Sequence, residues 1–176
     1  MDSRLPLLNR NDIDDADLQQ ILSNAERLST PKPAWYLTLG HNPDMAKAYA
    51  VYWDVTHRGG QVEHSIKELM RIAIAQLLGC DFCANQRSVM AIEQGLQESD
   101  TQLCAIPDFN NPEPRTRAAL HFAHVLVNDT SSDAEYDTAY TELRAVFSDA
   151  EIVELGCFAA IAIGGVKFAR SLRIDV

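Results

Sequence analysis

The chain has 176 residues, 47% of them apolar and 23% charged, which is the composition of one globular domain with a substantial core and excludes wholesale disorder. Fifteen Lys and Arg against 25 Asp and Glu leave a net charge of −10, which repels phosphate backbones and anionic lipid and argues against nucleic acid or a membrane surface as partner. The longest near-apolar run, Leu155 to Val166, is too short to cross a bilayer. The first residues hold no hydrophobic stretch of signal-peptide length, so the expected compartment is the cytoplasm.

Helical periodicity dominates, and no segment alternates with the period of a strand. A first helix is expected from Asp12 to about Leu28, with Asp12 as cap and Ile13, Leu18, Ile21, Leu22, Ala25 and Leu28 on its apolar stripe. Pro31 and Pro33 stop it and predict an extended segment through Trp35 to Leu39. Asn42 and Pro43 open a second helix, which carries Tyr49, Tyr52 and Trp53 and ends before Gly59 and Gly60. A third helix opens at Ser65, with Glu68 at capping-box spacing, and runs to Leu78. Apolar residues surround so much of it that it reads as the buried central helix.

Gly79 suits a left-handed helix end, and a fourth helix runs from Cys80 or Asp81 to Gly95. A polar connection spans 97–111, with a short helix around Cys104. A fifth helix follows Pro112 and Pro114, over Arg115 to Val127, and a sixth spans Asp133 to Phe147. The seventh starts at Ser148, paired with Glu151 in a second capping box, and runs towards Leu172. The expectation is one all-α domain over residues 1–176, a bundle of about seven helices. The nearly all-apolar third helix and the Leu155–Val166 run offer more hydrophobic surface than one small bundle hides, which predicts a homo-oligomer.

The chain has four cysteines, and two of them, Cys80 and Cys83, are separated by only two residues. In a reducing compartment such a pair reads as redox chemistry or metal binding. At the start of a helix, the unpaired N–H groups and the positive helix end favour a thiolate. Arg87 lies one turn beyond Cys83, where its charge would favour the thiolate further. The two sulfurs can close a small ring once one is oxidised. The plainer alternatives are that Cys83 is a small buried residue, Glu68 a capping acid and Arg87 a solvated helix residue.

Glu68 precedes Cys80 by twelve positions, within Lys67-Glu68-Leu69-Met70-Arg71, and Arg87 follows Cys83 by four. This pattern resembles the alkylhydroperoxidase D branch of the carboxymuconolactone decarboxylase-like family, in which a Glu, a Cys-x-x-Cys and a His recur at these spacings. The resemblance is best over Ser65 to Gly95. It implies an alkylhydroperoxidase D-like helical bundle and peroxidase activity with Cys80, Cys83, Glu68 and position 87 as catalytic residues. It also implies assembly into trimers or hexamers. The substrate would be a hydroperoxide or a disulfide, with an external dithiol as reductant.

One position departs from the pattern: the family's His falls at position 87, where this chain has Arg87, which stays protonated and cannot act as a base. A straight helix would hold Glu68 about 18 Å from Cys80. A turn at Gly79 folds the two helices into a hairpin, which predicts a Glu68–Arg87 ion pair.

Other functions rank lower. His121 and His124 could complete a zinc site with Cys80 and Cys83, but only two residues separate them, fewer than zinc sites usually show. Cys104 and Cys157 have no helpful neighbours and read as structural. No glycine-rich phosphate loop is present, so no cofactor is expected. A non-catalytic binding or assembly protein of the same fold is the alternative from another class, and a lactone decarboxylase a further one.

Overall fold

The computed structural model describes residues 3–102, 104 and 113–174, and among them it contains helices and no strand. Asp12 closes a short 3-10 turn, Arg10–Asp12, and helix α1 is Ala16–Leu28. The cap is Asp15, whose carboxylate accepts the Leu18 N–H at 3.0 Å and also holds Lys47 at 2.8 Å. Two acids three residues apart both suit a cap, and the second has these partners. Leu18, Leu22 and Leu28 are buried along α1, each contributing about 2 kcal/mol.

The segment expected to be extended after Pro33 is instead a helix, α2, Pro33–Leu39. Pro33 occupies the first turn, where its missing N–H costs nothing, and Trp35 and Tyr36 gain burial there. Helix α3, Pro43–Trp53, starts as expected with Asn42 accepting the Met45 N–H. It runs on into a π turn, Asp54–Arg58, which turns Thr56 and His57 into the interior.

Helix α4, His64–Leu77, is the central helix; its cap position is Glu63, so Ser65 forms no capping box. It packs against α8 (Pro114–Val127) and α10 (Asp149–Leu172), and α8 also packs on α9 (Asp133–Arg144). Gly79 adopts φ +64°, and the chain folds back as the hairpin argument requires. The expected fourth helix is broken into α5 (Asp81–Ala84) and α6 (Val89–Glu93), joined by an irregular stretch over 85–88. Helix α7, Glu98–Gln102, follows. Cys104 is buried, its thiol directed at the Leu69 carbonyl, and the rest of the expected connection, 105–111, lies outside the described residues.

Both α9 and α10 open with reciprocal capping boxes, Ser132 with Glu135 and Ser148 with Glu151. The 24 residues of α10 are long and apolar enough to cross a membrane by length and composition, more than the run Leu155–Val166 suggests. Its inner face, Leu155, Phe158, Ala159, Ala162 and Val166, belongs to the main core.

Candidate active site

Helix α4 carries four buried polar residues, His64, Lys67, Glu68 and Arg71. Their spacing of three, four and seven places them on one face. A buried charge must find partners, and each of these does. Lys67 donates to the Gly59 carbonyl and to Glu154. The other three converge on the chain around the cysteines.

Glu68 is fully buried. Its Oε2 accepts from Arg71 Nε at 2.9 Å and lies 3.0 Å from His57 Nε2. Its Oε1 accepts from Arg71 Nη2 at 2.9 Å and from the Ser88 backbone N–H at 2.8 Å. Burial pushes the carboxyl pKa up, but the Arg71 charge and the hydrogen bonds from His57 and Arg71 outweigh it and hold it well below the ordinary value. Arg71 also donates to the Cys83 carbonyl at 2.5 Å and to the Gln86 carbonyl at 2.6 Å.

Burial lowers the pKa of His57 to about 4, against the opposite pull of Glu68, so the ring is neutral at pH 7. An ionised carboxylate can only accept, so the His57 proton sits on Nε2 and its Nδ1 is a bare acceptor. That Nδ1 has no partner among the described residues. His64 places Nδ1 at 2.9 Å from the His57 carbonyl and Nε2 at 2.8 Å from the Ser88 hydroxyl. The carbonyl requires a proton on Nδ1, so Nε2 accepts from Ser88.

Cys80 caps α5 and accepts the Cys83 N–H on its sulfur at 3.3 Å. The two cysteines form a disulfide, with Cα atoms 5.3 Å apart. Cys83 lines a cleft of about 410 Å³, counting its open mouth, together with Arg71 and the rings of Trp35, Tyr49, Trp53 and Phe82.

The expected Glu68–Arg87 ion pair is not formed. Arg71, three residues along the same helix, occupies Glu68 instead. The break after α5 turns Arg87 onto Glu98, which it contacts at 2.7 and 2.9 Å, and onto the Ala84 and Gln86 carbonyls. Thus the structure brings together Cys80, Cys83, Arg71 and Glu68 and directs Arg87 elsewhere. Sequence reasoning passed over Arg71 and His57, although a polar stripe on a helix read as buried was the available signal. The zinc alternative has no ligand set: His121 lies 2.7 Å from Glu142, and among the described residues no three metal-binding side chains converge.

The fold is similar to that of several solved structures. The chain aligns with the debrominase Bmp8 at TM-score 0.82 and 19% identity, over 100% of this chain and 93% of that one. It aligns with an uncharacterised peroxidase-related protein of Ralstonia eutropha JMP134, described as an alkylhydroperoxidase AhpD core, at TM-score 0.72 and 18% identity, over 98% and 91% of the two chains. A protein of unknown function from Agrobacterium tumefaciens, ATU0492, a putative antioxidant defence protein AhpD, aligns at TM-score 0.65 and 23% identity, over 77% and 92%. At these identities the likeness shows the fold. No curated protein sequence matches. Residues 43–124, which hold both cysteines and the polar stripe of α4, match the carboxymuconolactone decarboxylase family model, so this segment is similar to that family.

Proposed function

We propose that this chain is a dithiol–disulfide oxidoreductase that reduces hydroperoxides, with Cys80 and Cys83 as the redox pair. The observation that carries this reading is the closed Cys80–Cys83 bridge with Cys83 on the wall of a cleft beside a buried guanidinium. In the reduced protein the Cys83 thiolate attacks the terminal oxygen of the hydroperoxide. The O–O bond breaks, the alkoxide takes a proton from water at the cleft mouth, and Cys83 becomes a sulfenic acid. The Cys80 sulfur then displaces the hydroxyl group, water leaves, and the disulfide closes. An external dithiol returns the two electrons.

Arg71 replaces Arg87 as the cation beside Cys83, and Glu68 acts by fixing Arg71 rather than by passing a proton. The reading carries with it a reducing compartment such as the cytoplasm and a homo-oligomeric assembly. The test is thiol counting on the dithiothreitol-reduced protein before and after a hydroperoxide. Loss of two thiols with one equivalent consumed is expected. Two slow, unreactive thiols would instead indicate a binding or assembly protein.

A second reading, reductive dehalogenation, is favoured by the aromatic walls of the cleft and by the whole-chain likeness to Bmp8, a debrominase with a cysteine-to-alanine variant solved in complex with 2,3,4-tribromopyrrole. In that reaction a C–Br bond is replaced by C–H, bromide leaves, and the two thiols supply the electrons and protons as they become the disulfide. Bromide release from 2,3,4-tribromopyrrole by the reduced protein distinguishes it.

A further inference from the structure

The cleft at Cys83 has walls of a specific chemistry. Trp35, Trp53 and Phe82 are buried and Tyr49 half-buried, and all four line it. They are mutually braced. Tyr49 stacks on Trp53 at 6.0 Å between centroids and 14° between planes, and Trp35 meets Tyr49 edge-on at 5.4 Å. Helix α10 contributes Ala162, Gly165, Val166 and Ala169, small or aliphatic residues that leave a flat floor. A side chain at Gly165 would meet the Tyr49 hydroxyl at 2.9 Å, so the close approach of α10 to that ring depends on glycine.

The polar groups in the cleft are mostly committed. Arg71 spends four N–H bonds on Glu68 and two backbone carbonyls, which leaves one N–H. Gln86 accepts the Lys32 N–H and donates to the Phe82 carbonyl. The Trp35 and Trp53 indole N–H groups are both buried with no hydrogen-bond partner among the described residues. A buried unpaired donor costs about 1–3 kcal/mol, a cost that a ligand acceptor can remove. The uncommitted capacity is therefore three donors, set among rings, with Cys83 on the wall.

We infer that the cleft takes a flat aromatic molecule bearing a hydrogen-bond acceptor, in preference to small aliphatic ones. Stacked and edge-on rings recognise an aromatic ring beyond its buried area. An aliphatic ligand would fill the space without the ring geometry, and a cation would meet Arg71. Under the peroxidase reading, on which this extension rests, the oxidant is an aromatic hydroperoxide whose peroxide oxygens supply the acceptor.

The chain's only two tryptophans both line the cleft, so intrinsic fluorescence reports its occupancy directly. The oxidised protein is titrated with 2-phenyl-2-propanol and, separately, with tert-butanol. The reduced protein is then mixed with cumene hydroperoxide and with tert-butyl hydroperoxide. The aromatic alcohol should change the emission saturably while tert-butanol does not, and cumene hydroperoxide should show at least about tenfold higher kcat/KM. Trp53→Leu should narrow that ratio towards one, and Phe82→Leu provides a second variant should Trp53→Leu fold poorly. Equal response to both alcohols, or to neither, overturns the inference and leaves the redox reading standing. Saturable aromatic binding with no oxidation by either hydroperoxide supports the ligand class and overturns the peroxidase reading instead.

Discussion

Removing the Arg71 guanidinium would strand the Glu68 carboxylate and two backbone carbonyls in the interior. Breaking one side of a buried ion pair costs about 3–5 kcal/mol, so Arg71→Gln should lower the urea midpoint by that equivalent. Arg87 faces Glu98 at the surface, with the Glu98 side chain 68% exposed, and such pairs are worth at most about 1 kcal/mol. Arg87→Ala should therefore be mild and should leave Cys83 alkylation within about twofold of wild type. A larger loss in Arg87→Ala than in Arg71→Gln would contradict this assignment. His57 carries a second prediction. Its folded pKa, about 4, lies below the ordinary value near 6.5, so the unfolded chain binds the proton more readily. Stability is full above about pH 6.5 and is lost as pH falls towards 4. Burial lowers His64 and His124 in the same direction. His57→Gln should flatten part of the fall in urea midpoint across that window, and an unchanged slope would mean that His57 is not buried neutral. The cysteine pair was legible because its spacing is local. The role of Arg71 was not, because it depends on α5 folding back over α4, which spacing alone does not show.

At the scale of elements, α4 and its connection to the π turn hold the site together. The Gly59–Val62 loop is clamped by Glu154 from α10, which accepts the Gln61 N–H at 2.7 Å and the Val62 N–H at 3.2 Å and pairs with buried Lys67. Gly60 adopts φ +89°, and a Cβ there would lie 2.2 Å from the Glu154 carboxylate. Gly60→Ala should cost about 2 kcal/mol or more, from the strained backbone and the displaced clamp. Thermal melting checks this, and a Tm within a degree of wild type would refute the clamp. Elements with local signals were readable in the sequence: Asn42-Pro43 and the Ser148 and Glu151 box mark starts that the structure keeps. Helix α2 was not, since two prolines mask a segment whose helix is stabilised by burying Trp35 and Tyr36. The long fourth helix was not either. Its break over 85–88 delivers the Ser88 N–H to Glu68 and the Gln86 carbonyl to Arg71, tertiary contacts with no local signature.

For the whole molecule, apolar side chains face outward on neighbouring helices: Val51 and Tyr52 on α3, Val55 in the π turn, Val153 and Phe168 on α10. Tyr52 links the two helices by donating to the Cys157 carbonyl at 3.4 Å. Exposed apolar side chains of this kind are what an oligomer would bury, and we propose a second copy of the chain as the occupant. Light scattering at micromolar concentration should show a homo-oligomer, and Val153→Asp should shift it towards monomer; a wild-type monomer would overturn the expectation. The redox assignment has a more direct test. The reduced protein is treated with one equivalent of cumene hydroperoxide, alkylated, digested and mapped by mass. The expected result is that Cys80 and Cys83 escape alkylation together, joined as a disulfide, while Cys104 and Cys157 remain thiols. Full alkylation of Cys80 and Cys83 after hydroperoxide treatment would contradict a redox-active pair at this site.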